Sequence, residues 1–186
     1  MADIVLTGNT SGAITVAAPA VAGTNTLTLP ASTSTLATTA DITGPTFSAT
    51  ASATQSIADN TSTKIAFNTE VFDTNSNYDT GTYRFTPTVA GYYQFNAHVI
   101  SGGSTTTEIW NISISKNASE YLQGSNGQTK FATVGSQSNA SGIFYMNGSS
   151  DYVEAYIYQR SGGGALSTQA GSVNTSNFTG ALIRKA

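Results

Sequence analysis

The chain has 186 residues, 9 % of them charged and 39 % hydrophobic, with a net charge of −3, one histidine and no cysteine. That balance gives no long-range attraction to nucleic acid or an anionic membrane, and it excludes a disulfide framework, thiolate zinc sites and thiol chemistry. Against an average of roughly 25 % charged residues, the missing charge is replaced by Thr, Ser, Asn, Gly and Ala, with little Glu, Lys or Leu to build helices, so an all-β protein is expected. A basic-then-apolar leader is not visible, and no apolar run is long enough to cross a bilayer. Synthesis in a cytoplasm without membrane insertion is therefore expected. The Asn-x-Ser/Thr triplets at Asn111 and Asn117 are read as chance in so Asn- and Ser-rich a chain.

Residues 1–44 differ from the rest. They hold no Lys, Arg, Glu, Phe, Tyr or Trp, and their charges are Asp3 and Asp41. Short β-like pieces occur at Ile4-Val5-Leu6, Ala13-Ile14-Thr15-Val16 and Thr26-Leu27-Thr28-Leu29, broken by Gly8-Asn9, Gly12, Pro19, Gly23 and Pro30. Without aromatics this stretch cannot build a dense core, so it must pack on copies of itself or on a partner. A Thr/Ser/Ala linker is the alternative, but the regular alternation of Ile, Val and Leu favours a docking arm.

A boundary is expected at Gly44-Pro45, because aromatics begin at Phe47. Strands are predicted over 64–72, 92–100, 109–116, 129–134, 142–146, 152–159 and 178–183, each from period-two alternation. Asp73-Thr74-Asn75-Ser76-Asn77 is turn chemistry, Asn147-Gly148 signals a tight turn between strands, and Gly91 is expected to permit a sharp turn. In 92–100, Tyr93, Phe95, Ala97 and Val99 form one face, with Tyr92, Gln94, Asn96 and His98 on the other. Short strands at this spacing point to a sandwich or jelly roll.

The series Phe67, Asp73, Tyr78, Phe85, Gly91-Tyr92-Tyr93-Gln94-Phe95 resembles the signature of the C1q-like domain, and Phe178-Thr179-Gly180-Ala181-Leu182 is similar to that family's last strand. The start at Pro45-Thr46-Phe47-Ser48-Ala49 is similar to its first strand, so the resemblance covers 45–186. Ala97 stands where the family usually has Phe or Tyr. The resemblance implies a ten-stranded jelly roll of the C1q/tumour-necrosis-factor type that assembles as a homotrimer and binds without catalysing. Residues 12–30 resemble stretches of bacteriophage fibre and other virion-surface proteins.

Candidate chemistry is sparse. His98 is the one histidine, so a histidine metal cluster is impossible, and an interface or structural contact is expected of it in preference to a Ser-His-carboxylate triad. C1q-like trimers sometimes hold Ca²⁺, for which Asp73, Asp79, Asp151 and Glu154 are the oxygen candidates. They form no dense ligand loop, so turn stabilisation is expected and no cofactor is. Gly162-Gly163-Gly164 lacks the Lys and the following helix of a phosphate loop. Tyr152, Tyr156 and Tyr158 share a strand face and are expected, with His98, to line a trimer interface; a sugar-binding platform is the alternative. Loops at 102–107, 119–127 and 161–177 are expected to contact a receptor, since binding residues favour loops on a rigid scaffold.

The expectation is a non-enzymatic phage surface protein: an arm of residues 1–44 docked on other virion proteins, and a trimeric head of residues 45–186 serving as a fibre or knob that binds a host glycan or protein. A capsid decoration protein is the alternative, and a glycan-active enzyme a remote one, disfavoured by the absence of a paired Asp/Glu motif.

Overall fold

A computed structural model describes residues 4–7, 13–16, 43–102, 109–127, 135–162, 164–170 and 176–186. The chain divides into two compact units, Met1–Leu36 and Ala37–Ala186. In the first, β1 (Ile4–Thr7) and β2 (Ala13–Val16) pair antiparallel, with Ile4 opposite Val16 and Leu6 opposite Ile14. The strand expected at Thr26–Leu29 lies outside the described residues, as does that at 129–134.

The second unit is a β-sandwich. One sheet runs in the order β12-β9-β15-β3-β6, built from β3 (Thr46–Thr50), β6 (Thr69–Asp73), β9 (Gly91–Ile100), β12 (Gln137–Met146) and β15 (Ser176–Lys185). The other runs β11-β10-β13-β8-β7, from β7 (Tyr78–Asp79), β8 (Arg84–Phe85), β10 (Ile109–Lys116), β11 (Ser119–Gly127) and β13 (Val153–Arg160), with β5 (Thr61–Lys64) also paired to β13. The two-residue strands β4 (Ser56–Ile57) and β14 (Leu166–Ser167) pair separately. Among the described residues, the ten strands expected correspond to nine longer strands and four two-residue pieces.

The core lies between the sheets and is aromatic. Phe47 stacks on Phe85 at 4.4 Å and on Tyr78 at 4.9 Å, and meets Phe178 edge-on at 5.1 Å. Trp110, Ile112 and Ile114 of β10 and Val153, Ala155 and Ile157 of β13 close it from the second sheet, all essentially buried. Polar stitches join β12 to β10 and β11 across one side: the Ser138 hydroxyl accepts from Ile112 N at 2.9 Å and donates to Ser125 O.

Four expectations change. The strand predicted over 64–72 is two strands, β5 and β6, separated by residues 65–68, where Ile65 and Phe67 enter the core while Val71 and Phe72 are exposed. Residues 119–127 are not a loop but β11, paired to β10 with two register shifts. The Asn147-Gly148 turn does not close a hairpin, because β12 and β13 belong to different sheets. It opens a crossover in which the Asn147 side-chain oxygen accepts from the backbone N–H groups of Ser149, Ser150 and Asp151, with Gly148 at φ 72°. Gly91 is not needed for a positive φ: it sits within β9, where an added Cβ would lie 2.4 Å from Arg184 O and 2.7 Å from Leu182 Cδ1. Space, not backbone freedom, makes it glycine.

Candidate functional site

The signature residues work as a unit. The Asp73 carboxylate accepts from Asn75 N at 3.1 Å and Tyr78 N at 2.6 Å, which fixes the turn that delivers Tyr78 to the core. Tyr78 then donates its hydroxyl to Phe67 O at 2.8 Å, and burial pushes its pKa well up. Tyr93 donates to Val89 O at 2.7 Å, and burial pushes its pKa up to about 12. Phe67, Phe85, Tyr93, Phe95 and Phe178 are all fully buried. Gly180 lies opposite both Phe95 and Phe47 in the register, and an added Cβ there would stand 2.5 Å from the Phe95 ring. Leu182 is only partly buried against this core. Ala97 is buried and pairs with Ala140 on one side and Phe178 on the other.

The predicted tyrosine row lies on the outer face of the six-stranded sheet, and each member is already engaged. Tyr156 and Tyr158 are half-buried; the first donates to Glu154 Oε2 at 3.0 Å and the second to the Asn60 side-chain oxygen. The Arg84 guanidinium lies 4.1 Å from the centre of the Tyr152 ring. These rings surround a charge cluster that sequence reasoning missed. Glu154 has no exposed side-chain surface although it points away from the core, because Arg84 Nε at 2.5 Å and Lys64 Nζ at 3.0 Å cover it. Burial works against its charge, but the hydrogen bonds from Arg84, Lys64 and Tyr156 outweigh it and hold the carboxyl below its ordinary range.

That balance sets a pH dependence. A carboxylate depressed in the fold contributes stability above its unfolded pKa of about 4.3, and the contribution is lost as pH falls through the lower folded value. Glu154→Gln is expected to cost roughly 1–3 kcal/mol at neutral pH, since Lys64 and Arg84 are part-exposed and regain water. It is also expected to flatten the acid limb of stability in urea melts run at a series of pH values. An acid limb of unchanged slope would show that Glu154 is not the group responsible.

The other acids are dispersed. Asp79 accepts from Gly81 N and the Thr82 hydroxyl, and Asp151 pairs with Lys116 Nζ at 2.8 Å while Asn117 donates to it. Among the described residues no group of three or more His, Asp or Glu gathers.

The opposite sheet presents a different surface. Val71, Phe72, Tyr92, Ile143, Tyr145 and Ile183, between 45 and 58 % exposed, all belong to its strands. Tyr92 faces Tyr145 across β9 and β12 with ring centres 5.6 Å apart, and Ile143 follows opposite Gln94. Ile183 is the extra residue of a bulge in β15, between Leu182 and Arg184. Phe72 shares a shallow hollow with Gln94, Asn96, Thr179 and Ala181. Farther along, the face turns polar: Gln94 donates to the Ser141 hydroxyl, which donates to Asn96, both at 2.8 Å. His98 continues this face, half-buried, beside Asn139 and Asn177 in the register. Burial lowers its pKa against an opposing hydrogen bond with Gln137.

No curated protein matches the chain. Among solved structures it is similar to the globular domain of zebrafish complement 1qA protein, with 19 % identity, a TM-score of 0.54 and coverage of 76 % of this chain and 99 % of that one. Murine APRIL matches with 12 % identity and a TM-score of 0.54 over 76 % of this chain and all of the other. Eiger TNF from S. frugiperda matches with 9 % identity and a TM-score of 0.51, covering 77 % and 93 %. At these identities the likeness is one of fold. The C1q domain model matches residues 46–183, which hold the Phe67-to-Phe95 series and the Phe178-to-Leu182 strand, and the chain belongs to the C1q family.

Proposed function

We propose that this protein is a non-enzymatic binding protein whose C1q head assembles as a homotrimer through the outer face of the five-stranded sheet. The observation that carries this reading is the exposed apolar group of Tyr92, Tyr145 and Ile143, neighbours in the β9–β12 register, with Ile183 exposed on β15 of the same sheet. Exposed apolar patches of this kind mark association sites, and a cyclic trimer closes by repeating one heterologous contact around its axis, which an apolar face turned towards that axis can supply in every subunit. His98 lies at the polar end of the same face, where the assembly would cover it. The tyrosine row of β13 is a weaker candidate for that contact, since its hydroxyls and the Tyr152 ring already have partners within the chain. Light scattering of the purified chain tests the assembly: a trimer is expected, and a stable monomer overturns the reading.

The head is proposed to sit on a bacteriophage particle as a fibre or knob directed at a host cell surface, with residues 1–44 docking on other virion proteins. Support comes from the fibre-like composition of 12–30, the absence of cysteine, and the Ile, Val and Leu of the paired β1 and β2 strands in a stretch of residues 1–44 that has no aromatic residue of its own. Deleting residues 1–44 is expected to leave the head trimeric but to abolish its incorporation into particles, read by mass spectrometry of purified virions. Truncated protein found in particles at wild-type levels would show that the arm is not the anchor. Micrographs of labelled particles separate a projecting knob from a decoration protein seated between capsomers.

A further inference from the structure

The outer face of the six-stranded sheet carries a furrow that follows from its register. One row across the sheet reads Asn126, Asn111, Tyr158, Ser62, and the next reads Gln123, Ser113, Tyr156, Lys64. The middle of β10 is therefore low, with Asn111 and Ser113 flanked by two tyrosines on one side and by longer amides of β11 on the other, and with Ser115 next on the same face, between Glu154 and Glu120 in the register. These three outward-facing polar residues are each less than 9 % exposed because the flanking side chains rise above them. Two adjoining hollows result, of about 350 Å³ along Asn111, Gln123, Asn126 and Tyr158 and about 150 Å³ beside Ser115 and Tyr156, with Ser62 and Ser113 lining both. The larger lies within the usual size of small-ligand sites, roughly 300–1,000 Å³.

We propose that this furrow binds a neutral oligosaccharide. The chemistry of the lining selects the class. Among the described residues no charged side chain lines either hollow, so an anionic or cationic ligand would lose its hydration without a counter-charge. Hydroxyls and amides at the floor and wall (Ser62, Ser113, Asn111, Gln123, Asn126) match a ligand that is both donor and acceptor along its length. The flanks of the Tyr156 and Tyr158 rings offer apolar surface to the C–H faces of sugar rings, and their hydroxyls are held by Glu154 and Asn60, so the rings are fixed before a ligand arrives. The distance from Asn111 to Ser115 along a strand is about 14 Å, which suits several linked sugars better than one. The furrow lies on the sheet opposite the proposed trimer contact, so assembly would leave it open. In biological terms this deepens the reading of the head as a receptor-binding module and rests on it, but the binding itself is measured independently.

The test uses the full chain against immobilised neutral oligosaccharides of glucose, galactose, mannose and N-acetylglucosamine, with sialylated and sulfated glycans alongside, and light scattering of every variant. Binding of at least one neutral oligosaccharide is expected. Ser113→Leu, which fills the floor, and Tyr158→Ala, which removes a flank, are expected to weaken it about tenfold or more, while Tyr158→Phe keeps the ring and stays within about threefold. Should Ser113→Leu fail to fold, Asn126→Ala at the wall supplies the same comparison, with an expected loss of about fivefold. Absence of binding to every neutral glycan, binding to acidic glycans alone, or neutral-glycan binding indifferent to the furrow substitutions overturns the proposal. A trimer that binds no sugar removes only the furrow; a monomer that binds sugar removes only the assembly.

Discussion

Phe95→Ala is expected to destabilise the head by about 3–5 kcal/mol, measured as a lower urea midpoint at unchanged slope. Phe95 is fully buried at the middle of the aromatic cluster, with ring centres of Phe85, Tyr93, Phe144, Phe178 and Phe47 between 5.8 and 6.5 Å away. Five rings lose a neighbour at once, and rings held by two sheets relax little into the void, so the cavity adds to the lost transfer energy. Gly180 sharpens the point. It leaves room for the Phe95 and Phe47 rings to close over β15, so its missing side chain and their bulk are one packing solution. Glu70→Ala, on the exposed edge strand β6, is the control and is expected to stay within about 0.5 kcal/mol. A Phe95→Ala loss below about 1 kcal/mol would mean that the cluster does not hold the sheets together.

The sequence exposes this core because the signature is a spacing of aromatics, and aromatic spacing survives in one dimension. Phe67, Tyr78, Phe85, Tyr93 and Phe95 can be read without knowing which strands neighbour one another. What depends on neighbours is hidden. Glu154 reads as one outward residue of β13, and its burial appears only when Lys64 and Arg84 arrive from β5 and β8. The strand β11 is hidden for another reason: Gln123, Asn126 and its glycines show no apolar alternation, and the ladder with β10 holds it as a strand. Gly91 invites a backbone explanation because glycine usually needs one, whereas its cause is the approach of Arg184 and Leu182 from β15. The tyrosine row illustrates the same limit. Alternation places Tyr156 and Tyr158 on an outward face, but it does not tell that Tyr92, Ile143 and Tyr145 are exposed on the opposite sheet as well.

That choice of face gives the second large effect. Ile143→Glu is expected to convert the proposed trimer to monomers in light scattering while leaving the circular dichroism spectrum and the monomer fold intact. Ile143 is 58 % exposed on β12, so the free chain can carry the carboxylate in water at little cost. In the assembly three such carboxylates would be desolvated around one axis, and the buried apolar contact, worth about 1.5–3 kcal/mol per isoleucine, would also be lost. A threefold arrangement repeats both losses at every contact, so one substitution suffices. Tyr158→Ala, on the opposite sheet, is expected to leave the trimer unchanged. The reverse pattern, with assembly surviving Ile143→Glu and failing with Tyr158→Ala, would move the interface to the tyrosine face and close the furrow over β10 to any sugar. The two substitutions thus decide together which sheet the protein uses to find itself and which it leaves free for a partner.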